Sequence, residues 1–305
     1  MQYKTILITG ASGLTGKHLT VLLKEKGYRV IHLSRSASKK NDTETFVWNI
    51  HKQTIDEQAV IQADHIIHLA GDGITHHRWS EAQKKEIIDS RVESIHLLYK
   101  TLQKTNKTLK SFVSASGIGI YGGITTQKIY SETDPPATDF LGTVCEKWED
   151  AATSISQLGI RVVKLRTGIV LWKNGGALKK IAMPVKFFIG SPLGSGQQYM
   201  PWIHLDDICA MYLKALEDTK LHGPYNAIAP EHITNNSLTK MIAHVLHRPL
   251  FLPNVPGAIL KLLLGEMAVV VLEGSRASSK KIQEAGFEFK YPTVKGALKE
   301  LFQAH

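Results

Sequence analysis

The chain has 305 residues, 43% of them apolar and 21% charged, a globular composition that excludes disordered, collagen-like and fibrous classes. Its two cysteines, Cys145 and Cys209, are too few and too far apart for a disulfide scaffold and fit a reducing compartment. The formal charge of +10 comes from scattered lysines with no basic run interleaved with aromatics, so nucleic acid is not an expected partner and an anionic small-molecule substrate is.

The N-terminus enters an apolar strand directly at residues 4–9, with no secretory h-region, which predicts a cytoplasmic protein. A helix over 14–26, ended by Gly27, leads to a second strand at 29–33. Further buried strands are expected at 65–69, 111–114 and 161–165. Between them, 79–103 carries Ile88, Val92, Ile95 and Tyr99 at helical spacing, and further helices are expected at 143–158 and 206–217, the latter capped by Asp206. This alternation predicts an α/β chain, a doubly wound parallel Rossmann sheet, with a smaller C-terminal lobe. We place the nucleotide-binding domain at 1–228 and the lobe at 229–305. Glycines and prolines make 174–202 largely loop, an excursion over the cleft.

Residues 255–272 are almost long enough to cross a bilayer, but Lys261 and Glu266 interrupt them, with Gly265 between. They are expected to form a buried helix pair or a partner-facing surface, not an anchor, and exposure of the segment would imply a homodimer.

The chemistry starts at Gly10-Ala11-Ser12-Gly13-Leu14-Thr15-Gly16, which follows one strand and opens a helix. Gly10 permits the tight turn, Gly13 lets backbone approach a pyrophosphate, and Gly16 lets helix and strand pack closely. The helix N-terminus then offers amides and a positive dipole end to phosphates. At the end of the second strand, Ser34-Arg35 stands where NAD sites place a carboxylate for the ribose hydroxyl. A guanidinium suits a 2′-phosphate, so NADP is the expected cofactor, although Lys39 and Lys40 follow closely and a solvated surface arginine is the alternative. His68-Leu69-Ala70-Gly71 runs from strand into a small-residue turn at the same sheet edge. His76 and His77 point apart on any regular element, and His204, Asp206 and Asp207 read as cleft support, so no metal site is expected.

The order GASGLTG, LSR, HLAG, SRV, SASGIGIYGG, GGAL and PLGSGQQYMPWIHLDD resembles an atypical branch of the extended short-chain dehydrogenase/reductases, of the NAD-dependent epimerase/dehydratase kind. The tail, from HRPLFLPNVP to AGFEFKYP, is similar to that branch's small C-terminal domain. The resemblance implies that Gly10, Ser12, Gly13, Leu14 and Thr15 line the pyrophosphate. Ser34 and Arg35 would hold the adenosine ribose and its phosphate, and Leu69, Ala70 and Gly71 would pass beside the cofactor. Glu86 and Arg91 would face it from the next helix, Arg91 where typical members have asparagine. Ser116 falls at the family's catalytic serine and Tyr121 follows it. The family's Tyr-x-x-x-Lys pair, however, is replaced by Leu141 and Cys145. Leucine has no ionisable proton and a buried thiol is inert, so the standard acid–base machinery is missing. The expectation is an NADP(H)-dependent oxidoreductase or epimerase-like enzyme for a small polar substrate, with Ser116 and Tyr121 lining the nicotinamide side. The rival is a dinucleotide-binding sensor or partner-binding protein that has lost catalysis.

Overall fold

The computed structural model describes residues 4–36, 43–75 and 77–303. The expectations that touch Lys39, Lys40 and His76 therefore lie outside the described residues. The first half is a run of strand–helix units: β1 (Thr5–Thr9), α1 (Leu14–Glu25), β2 (Arg29–Ser34), β3 (Thr45–Asn49), β4 (Thr54–Ile55), α2 (Glu57–Ile61) and β5 (His65–His68). It continues through α3 (Glu81–Lys104), β6 (Ser111–Gly117), β7 (Ile129–Tyr130), α4 (Phe140–Ser154) and β8 (Val162–Thr167). Next come β9 (Ile169–Leu171), α5 (Gly176–Lys186), β10 (Trp202–His204), α6 (Leu205–Glu217) and β11 (Gly223–Ala227). The remainder comprises α7 (Asn235–Val245), α8 (Gly257–Leu264), α9 (Val269–Leu272), β12 (Arg276–Ala277), α10 (Lys280–Glu284) and α11 (Val294–Gln303).

Eight strands form one sheet in the order β11-β8-β6-β5-β1-β2-β3-β4. Every pairing in it is parallel except β3 with β4. Side chains alternate across a strand, so the fully buried run Ile6-Leu7-Ile8 serves two layers. Ile6 and Ile8 pack with Leu19 and Leu23 of α1 and with Ile208, Met211 and Tyr212 of α6. Leu7 packs the opposite way, with Ile95 and Leu98 of α3 and Ala151 and Ala152 of α4. This is the doubly wound architecture that the alternating pattern implied.

Four differences from the sequence reading have physical causes. Residues 174–202 are largely loop but also contain an unexpected helix, because Leu178, Ala182 and Val185 recur on one helical face and are buried along α5. They join Trp202, Ile233, Leu238, Ile242, Leu298 and Leu301 in a third apolar cluster, which ties this stretch to the chain beyond residue 229. Asp206 does not cap α6: the His204 side chain accepts from the Asp206 amide at 3.1 Å, while Asp206 itself takes Lys290 Nζ at 3.0 Å. The helix expected at 143–158 begins at Phe140, capped by Asp139, whose carboxylate accepts from the Gly142 amide at 2.8 Å. Finally, 255–272 is not a buried pair. It splits into α8, a 3-10 turn at Gly265–Ala268 and α9, and none of the residues of α8 is buried. No described helix is long and apolar enough to cross a membrane.

Two consequences are measurable. A Cβ at position 16 would lie 2.6 Å from Ala11 Cα and 2.7 Å from Gly10 O, both backbone atoms that cannot give way. Gly16→Ala should therefore cost about 1–3 kcal/mol, the usual cost of forced overpacking, and lower the melting temperature by several degrees. The second concerns acid. His68 is fully buried, and burial first, then Arg91, lowers its pKa to about 3. His65 is lowered to about 4 by burial, and His204 is lowered too. The unfolded chain takes up protons below about pH 6.5 that the folded chain refuses, so stability is full above that value and falls as pH drops. At pH 5.5 His68 alone should account for a loss of about 1.3 kcal/mol relative to pH 7. Urea titrations at the two pH values should show it, and His68→Gln should flatten the dependence. Equal stability at both values contradicts the assignment.

Candidate functional site

In this strand order β1 lies between β2, reached through α1, and β5, reached by crossing back. The sheet reverses direction of winding there, and a crevice opens outside the carboxyl ends of β1 and β5. The glycine-rich turn fills one wall of it. Gly10 has φ +68°, and a Cβ on it would sit 2.7 Å from the Leu69 carbonyl carbon and 2.8 Å from the Ala70 nitrogen. The two turns thus touch through bare backbone. Gly13 is the N-cap of α1 and brings no side chain to the cap, and the first turn holds no acidic residue. The leading amides, from Leu14, Thr15 and Gly16, keep no side-chain acceptor, and Ser12 and Gly13 are exposed at the opening.

A hydrogen-bond chain fixes the second wall. The Ser94 hydroxyl donates to the Arg91 carbonyl at 2.8 Å, so it accepts from His68 Nε2 at 3.1 Å. His68 Nδ1 then accepts from the Thr9 hydroxyl at 2.9 Å, which leaves the Thr9 oxygen to accept the Leu69 and Ala70 amides, each at 3.2 Å. One neutral imidazole tautomer, buried beneath the sheet edge, thereby sets the path of the backbone beside the glycine turn.

Ser34 ends β2, next to β1, and Arg35 follows it, with Ser34 half-buried and Arg35 exposed. The turn and Arg35 therefore share one edge of the crevice. On the β5 side, Arg91 lies under Gly71, and a Cβ on Gly71 would be 3.1 Å from its Cζ. The guanidinium is buried, lies 4.8 Å from the Trp148 ring, and donates from one terminal nitrogen to the Ile87 carbonyl at 2.7 Å. Its Nε has no hydrogen-bond partner. Burial lowers its pKa, opposed by Cys145 and Asp72. Glu86 does not join it: its side chain is partly exposed and stands 3.9 Å from His51 Nε2, over the β3 end.

The expected catalytic pair needs correction. Ser116 is buried at the end of β6, and its hydroxyl donates to Glu149 Oε1 at 2.7 Å. Glu149 accepts Arg166 Nε at 2.7 Å and its Nη2 at 3.0 Å, with Lys164 Nζ 3.5 Å away. Burial pushes the Glu149 pKa up, but Arg166, Lys164 and Ser116 outweigh it and hold the carboxylate below its usual value. Tyr121 is 1% exposed; its hydroxyl receives Arg166 Nη1 at 2.9 Å and has the Ser131 carbonyl at 2.9 Å and Asn226 Oδ1 at 2.7 Å as acceptors. Burial raises its pKa to about 12. Neither hydroxyl has its proton free for a substrate: Glu149 accepts that of Ser116, and the Ser131 carbonyl or Asn226 Oδ1 accepts that of Tyr121. Leu141 and Cys145 do face the turn after β6: a Cβ on Gly119 would meet Leu141 Cβ at 3.4 Å and Cys145 Sγ at 3.6 Å. Burial lifts the Cys145 thiol to about 12, so it stays protonated and inert.

Sequence reasoning missed Glu149, Arg166, Asn226 and Trp148. They come from α4, β8 and β11 and carry no local motif, so only the packing brings them to the cleft floor. It also missed the contact of α5 with the nucleotide turn, where a Cβ on Gly175 would lie 3.6 Å from Leu14 and Trp172 packs edge-on to His18 at 4.7 Å. Among the described residues no group of three histidine, cysteine or acidic side chains could hold a metal ion.

Residues 6–140 match the NAD dependent epimerase/dehydratase family, and residues 255–301 match a domain of unknown function, DUF1731. The chain is 35% identical over 297 residues to the epimerase family protein YfhF of Bacillus subtilis, covering 97% of each. It is 36% identical to the chloroplastic SDR39U1 homologue of Arabidopsis thaliana, over 98% of this chain and 87% of that one. Among solved structures it is similar to the human epimerase family protein SDR39U1 with NADPH, at 30% identity and a TM-score of 0.88, covering 99% of this chain and 100% of the other. UDP-glucose 4-epimerase of Thermotoga maritima, 20% identical with a TM-score of 0.76 over 98% of this chain and 99% of that one, shares the fold. The glycine turn at the switch point, the eight-stranded sheet around it and the matched tail agree: the chain belongs to the epimerase family proteins of the NAD dependent epimerase/dehydratase family.

Proposed function

We propose that the protein is an NADP(H)-dependent oxidoreductase that reduces a small polar substrate and works without a tyrosine–lysine proton relay. The observation that carries this is the α1 N-terminus, with no side chain in its cap, opening onto the crevice edge that also presents Arg35. The residues present fit the cofactor, since backbone alone approaches the space in front of Gly10 and Gly13. Leu14, Thr15 and Gly16 would donate amides to the pyrophosphate, and Arg35 would pair with the 2′-phosphate. Arg91, buried with Nε unpaired, would place a cation beneath the nicotinamide half. When bound, NADPH supplies a hydride. The structure of the human relative with NADPH supports the same cofactor here.

Reduction of a carbonyl suits this site better than epimerisation. Epimerisation needs a base to take a proton from a sugar hydroxyl, and positions 141 and 145 offer an alkyl group and a protonated thiol. A solvent proton suffices to complete a reduction. A second reading, a dinucleotide-binding protein with no turnover, is favoured by the sequestered hydroxyls of Ser116 and Tyr121. Oxidation of NADPH by a panel of small polar aldehydes and ketones separates the two.

Titration calorimetry should show NADPH binding more tightly than NADH, and Arg35→Ala should remove most of the difference. One charge-assisted phosphate contact amounts to about 1.5–3 kcal/mol, roughly tenfold or more in affinity. Equal affinities in the unaltered protein rule out the NADP assignment. Where a substrate is found, Cys145→Ala should leave kcat within a few-fold and the pH–rate profile unmoved, because a thiol with a pKa of about 12 takes no part in proton transfer near neutrality. A profile displaced by that substitution would return the cysteine to the mechanism.

A further inference from the structure

We infer that the surface built by the end of α5 and by α8 docks on an anionic phospholipid bilayer, as a peripheral contact and not a span. It lies away from the glycine turn and has no part in the reading of the cleft. Phe187 is 71% exposed, Phe251 73% and Leu262 78%, with Phe188, Ile189 and Leu263 exposed beside them. Such large side chains bared together mark an interaction surface. The loop that follows α5 is tied to the residue just before α8: the Gly194 amide donates to the Val255 carbonyl at 2.9 Å, and the Val255 amide to the Pro192 carbonyl at 2.9 Å. Arg248 lies 4.8 Å from the ring of Phe188. Along α5, Lys179, Met183 and Phe187 fall four residues apart, so basic and apolar exposed groups share one stripe.

The charge selects the occupant. Residues 174–205 and 232–265 contain no aspartate or glutamate. Lys179, Lys180, Arg248 and Lys261 are all exposed. Glu266, just beyond α8, is held by Lys84 at 2.6 Å. A two-fold contact with a second copy would set these cations against their own images, so the homodimer implied by exposure of this segment is disfavoured. A lipid surface accepts both features, with phenylalanine and leucine at the acyl boundary and lysine and arginine among anionic headgroups. Lys261, within the apolar run, can extend its stem and keep its ammonium among the headgroups. Since α8 falls in the DUF1731 match, lipid contact gives that region a task.

The test uses the full chain in vesicle co-sedimentation, with phosphatidylcholine alone against phosphatidylcholine mixed two to one with phosphatidylglycerol. Binding should be at least tenfold stronger to the anionic vesicles and should weaken with salt, each cation at the surface contributing about fivefold. The double variant Leu262→Glu/Leu263→Glu should abolish binding, and Arg248→Glu/Lys261→Glu, away from the nucleotide turn, should reduce it more than tenfold. The leucine variant should keep the parent's NADPH affinity and melting temperature, because Leu262 and Leu263 face solvent and lie outside the nucleotide turn. Equal binding to both vesicles, or to neither, overturns the proposal. So does a dimer in light scattering that the leucine variant dissociates, an outcome that assigns the surface to a second copy.

Discussion

Two backbone turns meet without side chains at the sheet's switch point, and the rest of the molecule is arranged around that contact. Gly10 can approach Leu69 and Ala70 because it lacks a Cβ and holds a positive φ, and Gly16 lets α1 lie against the strand end it leaves. Together they aim the α1 N-terminus into the crevice. A side chain at either position would push the helix away from the sheet edge, with loss of core contacts along Leu19 and Leu23 as well as of the phosphate cradle. The support below is polar and fully satisfied. Thr9, His68 and Ser94 pass one set of hydrogen bonds from β1 to α3, and the neutral imidazole in the middle has both ring nitrogens paired.

The other half of the crevice is built on a different principle. Arg166 and Glu149 form a buried bidentate pair that captures the hydroxyls of Ser116 and Tyr121, groups whose positions in the chain suggest proton chemistry. Burying a charged pair is stabilising only when its remaining valences are filled, and these hydroxyls fill them. The arrangement gives the cleft floor rigidity and removes its proton donors. The cation on that side is Arg91, sandwiched between Trp148 and Gly71, and its burial requires the small residue above it. The family resemblance implied Ser116 on the nicotinamide side, whereas the packing gives its hydroxyl to Glu149.

The C-terminal region is woven into the molecule and not appended to it. β12 pairs with β7, α11 and α7 pack with α5, and Asp207 accepts the amides of Lys290 and Tyr291 at 2.8 and 3.0 Å. Against that background the bareness of α8 stands out, since the packing that covers its neighbours leaves its leucines in water.

By itself the sequence determined the alternating strand–helix order, the nucleotide turn, the arginine at the end of β2 and the loss of the tyrosine–lysine pair. All of these are local: each depends on residue spacing within one strand–turn–helix unit or on the identity of one side chain at a fixed offset. Tertiary structure alone decided the rest. The reach of Ser116 to a carboxylate 33 residues away, the tying of Tyr121 to Asn226 105 residues on, the folding of 176–186 as a helix against Ile233 and Leu298, and the exposure of α8 all follow from which elements become neighbours. Hydrogen bonding and burial are set by those neighbours in space, and one chain's periodicity carries no record of who they are.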